Sequence, residues 1–290
     1  MTIDMTPAIE RVGLVGCGQM GAGFAEVCAR AGLDVLAVVG SEDSAERGGK
    51  RIAASLNRLV RKEKITEAER DTALGRIGFT TDHKALRDRQ FVLEAVAEDL
   101  AVKQEVFAVL DEVVPDEDAV LASTTSALSI MKLARETEAP ERVIGVHFFN
   151  PVPVMPLVEL VPSLATGAAT TARTTEFVTT VLGKEVVTAQ DRAGFVVNAM
   201  LVPYLLSAVR LLESGVASAD DIDRGMTAGC GHPMGPLALI DLIGLDVIAA
   251  VGDAMYAETK DPLHAPPALL LRMIDGGFLG RKSGRGFHRH

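Results

Sequence analysis

Short runs of consecutive apolar residues recur through the first two thirds of the chain: Val12 to Val15, Val35 to Val39, Phe91 to Leu93, Val120 to Ala122, Val143 to Val146 and Leu157 to Val161. Unbroken apolar runs of this length suit strands buried on both faces, and the stretches between them are long enough for helices. The alternation predicts a parallel sheet covered by helices on both sides, the doubly wound α/β class. Near residue 188 the strand signal stops. The remainder reads as helices: one opened by Gly194 and Phe195 and ending near Gly215, then Asp220 to Met226, Leu237 to Ala257 and Ala268 to Ile274. Pro203 inside the first predicts a kink or a late start. Two domains follow, a sheet domain over 1–188 and an all-helical one over 189–290. So small and apolar a helical domain is expected to bury a face against a second copy, giving a homodimer.

The segment from Glu42 to Leu74 is too rich for a simple crossover, because it holds two helical patterns and the charge run Arg58-Leu59-Val60-Arg61-Lys62-Glu63-Lys64. It predicts a helical hairpin whose basic residues are either a solvated face or a positive rim for an anionic ligand.

Composition narrows the function classes. The 290 residues are 48% apolar and 23% charged, which fits a globular chain with its own core. A net charge of −10 argues against nucleic acid as a partner, since phosphate binding needs a positive surface. The apolar stretch Phe195 to Leu212 is interrupted by Asn198, Pro203 and Arg210, so it predicts a buried helix and no membrane partner. Met1 to Glu10 is acidic, lacks the pattern of a secretory signal and is expected to fray. Cys17, Cys28 and Cys230 show no paired spacing, which fits a reducing, cytoplasmic compartment, and the six histidines suggest no metal site.

Chemistry first appears directly after the first predicted strand, in Gly16-Cys17-Gly18-Gln19-Met20-Gly21. A G-x-G-x-x-G between strand and helix is the dinucleotide fingerprint of a Rossmann-type sheet. Its first glycine makes the turn, its second admits the pyrophosphate and its third lets helix and strand pack closely. The acidic residue expected about twenty positions on, which would bind the adenosine ribose, is missing. The second strand ends Val38-Val39-Gly40-Ser41, and Asp34 sits at its wrong end. Nothing there repels a 2'-phosphate, and Gly40 and Ser41 leave room and a donor for one, so NADP stands beside NAD. Arg47, Lys50 and Arg51 are the nearest cations, and Glu42 is the carboxylate that could serve NAD instead.

A second concentration of chemistry is Val143 to Leu160, which carries His147 and Glu159 on two apolar runs joined by a loop. An imidazole held by a carboxylate keeps one tautomer and a stabilised cation, which suits it to take a proton from an alcohol; a core histidine satisfied by its neighbour is the alternative.

The chain resembles the 3-hydroxyacyl-CoA dehydrogenase family nearly end to end. The resemblance is carried by the glycine loop, Glu94-Ala95-Val96-Ala97-Glu98, Ser123 to Leu128, His147-Phe148-Phe149-Asn150-Pro151 with Glu159, Gly194 to Asn198, His232 to Pro236 and Gly280 to Phe287. It implies oxidation of an (S)-3-hydroxyacyl-CoA, short chains such as 3-hydroxybutyryl-CoA above all, to the 3-oxoacyl-CoA with NAD or NADP. His147 would be the general base, Glu159 its orienting partner, and Ser126 and Asn198 donors to the reacting oxygen. Glu98 and Lys103 would lie toward the nicotinamide ribose, and Ser55 and Lys62 toward the coenzyme A. Departures from the family pattern are Thr124, Ala127, Pro156, Ala193 and Ala199, which leave the dyad in place and bear on substrate and cofactor preference. A dehydrogenase of a hydroxy acid or sugar acid without coenzyme A, and an inactive dinucleotide-binding sensor, are the competing readings.

Overall fold

A computed structural model describes residues 8–290. The chain forms two compact units, Met1–Asp191 and Arg192–His290, so the division falls at 191/192 against the expected 188/189. Of the segment expected to fray, residues 1–7 lie outside the described part. Ala8 to Glu10 are held: the Gln90 side chain donates to the Ala8 carbonyl at 3.0 Å and accepts from Glu10 N at 2.8 Å.

The first unit runs β1 (Arg11–Val15), α1 (Gln19–Arg30), β2 (Asp34–Val38), α2 (Glu42–Arg61), α3 (Glu67–Gly75), β3 (Ile77–Thr80), β4 (Phe91–Glu94), α4 (Leu100–Val113), β5 (Val120–Ser123), α5 (Ile130–Ala134), β6 (Val143–Phe148), β7 (Leu157–Pro162), α6 (Ala168–Glu176) and β8 (Glu185–Thr188). One eight-stranded sheet has the order β3-β2-β1-β4-β5-β6-β7-β8. Its first six strands are parallel in the doubly wound order.

Three features differ from the sequence reading. β3 and β8 form the two edges and were not expected, because β3 is half-buried, β8 is mostly exposed, and neither shows an unbroken apolar run. β7 runs antiparallel to β6, so the sheet is mixed. The connection over 149–156 is too short for a crossover, which takes a dozen or more residues, and a reversal is what remains.

Apolar side chains of the buried strands meet α1 and α6 in a ring stack. Phe24 of α1 lies 6.1 Å from Phe91 of β4 and 5.4 Å from Phe148 of β6, and Phe91 lies 4.6 Å from Phe177 just beyond α6. Offset aromatic contacts at such spacings add to the area they bury. The stack anchors β4 and β6, which carry site residues, to the helix that follows the glycine loop. The expected hairpin is α2 with α3, and Gly48, Ile52 and Leu56 of α2 are turned inward.

The second unit comprises α7 (Val197–Glu213), α8 (Ala219–Arg224), α9 (Pro236–Ile243), α10 (Leu245–Thr259) and α11 (Ala268–Asp275). α7 continues through Pro203 and starts near its expected position. It is not wholly buried: Val202, Leu205, Leu206 and Val209 face the core while Met200 is 76% exposed. The single helix expected over Leu237 to Ala257 is two, divided at Gly244, whose φ of 114° belongs to glycine. Among the described residues no helix is long and apolar enough to cross a membrane.

Buried Asp241 on α9 organises the segment Gly280 to Phe287. Its carboxylate accepts from Phe287 N and His288 N, each at 2.8 Å, and lies 2.9 Å from His290 Nε2. A Cβ on Gly280 or Gly286 would run into Asp241, so these glycines are there for close approach. Asp241→Ala leaves two backbone donors unmatched, a cost of about 2–4 kcal/mol. Calorimetry should show Tm lowered by roughly 5–10 °C; an unchanged Tm would remove the segment from the stability of the unit.

Candidate active site at the carboxyl edge of the sheet

The glycine loop leaves β1 and enters α1. Gly16 has φ 90°, and a Cβ there would lie 2.7 Å from the Ala95 carbonyl oxygen. A Cβ on Gly21 would strike the Gly16 carbonyl, whereas one on Gly18 would meet no atom within 4 Å. Gly18 therefore faces open space at the N-terminus of α1, the arrangement a pyrophosphate needs: bare backbone, unpaired helix N–H groups and the positive end of a helix dipole. The residues fit a dinucleotide. Gln19 Nε2 donates to Asn150 Oδ1 at 3.0 Å, tying this loop to the turn after β6, and Met20 packs on the core. Burial pushes the Cys17 thiol up to about 11 against the pull of Arg51, so it stays protonated.

At the end of β2, Gly40 is exposed with no atom near its missing Cβ. Ser41 caps α2, its hydroxyl accepting from Ser44 N at 3.2 Å. Arg47 folds back onto this turn, bonded to Asp43 and, at 2.9 Å, to Ser44 Oγ. Asp34 is at the opposite end of the strand, as expected, where Arg89 holds it at 2.6 Å.

His147 and Glu159 are direct cross-strand partners in the β6/β7 pair. His147 Nδ1 lies 2.7 Å from Glu159 Oε2, with the residues 7% and 0% exposed. The Phe149 ring stands 4.7 Å from the imidazole. With the carboxylate on Nδ1, that nitrogen carries the proton of the neutral ring, and proton exchange with a substrate belongs to Nε2.

Between the glycine loop and His147 lie the ends of β4 and β5, and these hold a polar cluster that only partly emerged from the sequence. Glu94, fully buried, accepts from Lys103 Nζ at 2.7 Å, Val96 N at 2.7 Å and Ser123 Oγ at 2.6 Å. Lys103 also lies 3.2 Å from Glu98, whose carboxylate takes Thr125 Oγ1 and, at 3.0 Å, Ser126 N. Lys103 is thus 1% exposed and its Nζ is shared between two carboxylates; Glu98 and Ser126 are the members that reach the edge. Glu94, Ser123 and Thr125 stood within the stretches that carry the resemblance but had no role assigned to them. A carboxylate ending an otherwise apolar buried strand was the available signal for Glu94. Thr124 Oγ1 is buried without a hydrogen-bond partner at the same place. Downstream, Asp191 fixes the start of α5 by accepting from Ile130 N and Met131 N at 2.8 Å, which pins the far end of the Ser126 loop.

The remaining candidates are on α2 and in the second unit. Ser55 faces Glu26 from α2; burial raises the Glu26 carboxyl, and Ser55, Arg30 and Arg58 oppose that. Lys62 ends α2 and is exposed, with Arg58, Arg61 and Lys64 around it. Asn198 sits in the first turn of α7 in the second unit, just after Gly194 and Phe195, both at positive φ. A phenylalanine in that region is strained by about 1–3 kcal/mol and persists only where its surroundings hold it, as they tend to at functional positions. Among the described residues no three metal-binding side chains gather.

Proton transfer at an imidazole on the same sheet edge as a dinucleotide cradle is the equipment of a dinucleotide-dependent oxidoreductase. Comparison with known proteins supplies the family. Residues 11–192 match the model of the 3-hydroxyacyl-CoA dehydrogenase NAD binding domain, and residues 194–290 match that of the 3-hydroxyacyl-CoA dehydrogenase C-terminal domain. The chain belongs to the 3-hydroxyacyl-CoA dehydrogenase family. It is 58% identical to a 3-hydroxybutyryl-CoA dehydrogenase of Mycobacterium tuberculosis over 286 residues, 99% of this chain and 100% of that protein. The crystal structure of M. tuberculosis FadB2 superposes with a TM-score of 0.97 at 58% identity, covering 98% of this chain and all of that one. That of (S)-3-hydroxybutyryl-CoA dehydrogenase PaaH1 from Ralstonia eutropha gives 0.92 at 44% identity, covering 98% and 99%.

Proposed function

We propose that this oxidoreductase interconverts (S)-3-hydroxybutyryl-CoA and acetoacetyl-CoA. The observation that carries the reading is the buried His147–Glu159 pair, 2.7 Å apart on adjacent strands. In oxidation the 3-hydroxyl proton passes to His147 Nε2, the C3–O bond becomes a carbonyl, and the C3 hydride goes to the nicotinamide, which is the chemistry the bound dinucleotide supplies. Glu159 holds the ring in orientation and stabilises the imidazolium that results. Ser126 and Asn198 donate to the oxygen without competing for its proton. In reduction the imidazolium is the acid.

Exposed Lys62 and its basic neighbours supply cations for the coenzyme A phosphates, and Ser55 on the same helix is a neutral hydroxyl on that side. Steady-state assays with acetoacetyl-CoA and with free acetoacetate separate the thioester reading from a coenzyme A-independent one; turnover of the free acid alone would sink the proposal. His147→Gln should lower kcat by about 100- to 10,000-fold while nucleotide affinity survives. An unaffected rate would remove His147 from the chemistry.

NAD(H) is the proposed cofactor, with NADP(H) tolerated, because exposed Gly40 presents no carboxylate to a 2'-phosphate and Arg47 folds back to Ser44 in the first turn of α2. A side chain fits at Gly40 without a clash. Gly40→Asp should raise KM for NADPH by tenfold or more, the order expected of a close like charge, and leave NADH kinetics nearly unchanged. Equal effects on both nucleotides would move the selector elsewhere.

A homodimer through the C-terminal helices completes the reading, supported by exposed apolar side chains on this unit, Met200, Leu242, Val247 and Leu271 among them. Light scattering should return twice the 30.7 kDa chain mass, and a monomer would refute it.

A further inference from the structure

A dinucleotide seated on the loop after β1 and reacting beside His147 on β6 has to pass the carboxyl ends of β4 and β5, because these strands lie between β1 and β6 in the sheet. Neighbouring strands stand ~4.8 Å apart, so the path is about 14 Å long. Its floor is the cluster of Glu94, Lys103 and Glu98. These three groups carry two negative charges and one positive, and the other side chains bonded to them, Ser123, Thr125 and Ser126, are neutral. Glu94 and Lys103 are buried against one another at 0% and 1% exposure, whereas the Glu98 side chain is 43% exposed. The surplus negative charge is therefore delivered at the edge, on a carboxylate held in place by the Ser126 peptide N–H and Thr125.

We propose that Glu98, held by the Glu94–Lys103 pair, sets the redox preference of the bound cofactor by favouring the oxidised, cationic nicotinamide over the reduced, neutral one. The inference rests on the reading of the site as a nicotinamide dinucleotide site. Tighter binding of the oxidised form makes the bound reduced form a stronger hydride donor than it is in water, by linkage. The arrangement thereby favours reduction of the 3-oxoacyl thioester on the enzyme. Glu98 acts through charge, and the buried pair acts through Glu98.

The test is a pair of dissociation constants, for NAD+ and for NADH, from reduced-nucleotide fluorescence and its competition by the oxidised form. Glu98→Gln should raise the ratio Kd(NAD+)/Kd(NADH) by about tenfold, through weaker binding of NAD+, as expected for removing one charge at partly screened range. Glu98→Asp keeps the charge and should restore most of the ratio. Thr125→Val loosens the same loop without changing charge and should leave the ratio near the wild-type value. Equal weakening of both forms in Glu98→Gln, or a ratio moved as far by Thr125→Val, would overturn the proposal and leave hydrogen bonding or loop geometry as the cause. Wild-type protein that binds neither nucleotide would overturn the functional reading itself.

Discussion

A carboxylate with no exposure to water has to be matched, and the site depends on how Glu159 is matched. Removing such a group from solvent costs several kcal/mol unless a partner and hydrogen bonds replace the water. The partner is His147, directly opposite in an antiparallel pair. That register follows from strand direction: the chain turns within residues 149–156 and returns beside itself, so positions twelve apart in sequence become neighbours across the ladder. In a parallel pair a crossover would intervene, and this spacing could not bring the two side chains together. The reversal at β7 is thus what makes the dyad.

The same edge holds a second buried carboxylate matched in another way. Glu94 is met by Lys103, a serine hydroxyl and a backbone N–H, and no member of that set needs to change its charge in a catalytic cycle. Glu159 is met by an imidazole, which takes up and releases a proton. One pairing is a fixed platform; the other includes a group able to act as the acid and base of the proposed reaction. Breaking the first leaves a buried charge unmatched, so Lys103 is part of what holds Glu94 and Glu98 in place.

Much of this was legible in the chain. The buried strands announced themselves as unbroken apolar runs, and Gly16 and Gly21 make the turn and the close packing that their spacing promised. The edge strands were not legible, because Ile77-Gly78-Phe79-Thr80 and Glu185-Val186-Val187-Thr188 are exposed enough to need no apolar run. The direction of β7 could have been read from the length of the 149–156 connection. The break at Gly244 hides in a pattern that stays apolar on both sides of it. The buried pairing of Lys103 was not legible because sequence shows a lysine's charge and not its burial, nor was the anchoring of Ala8 to Glu10, because the Gln90 side chain that holds them comes from far along the chain.

The strand order also separates two properties that a binding site often entangles. The glycine loop follows β1 at the centre. On one side, β2 and the cap of α2 present Gly40, Ser41 and Arg47; on the other, β4, β5 and β6 present Glu98, Ser126 and His147. A dinucleotide bound at its middle must extend one end each way, so adenosine selection and nicotinamide chemistry fall on opposite sides of the loop. The hydrogen bonds at the Ser41 cap join Ser41, Ser44 and Arg47 within the first turns of α2. Changes in distant, unshared contacts add nearly independently. On the proposed function, cofactor preference can therefore drift at the end of β2 while the His147–Glu159 pair on β6 and β7 stays as it is, which is how a chain without the usual ribose-binding acid can keep that pair intact.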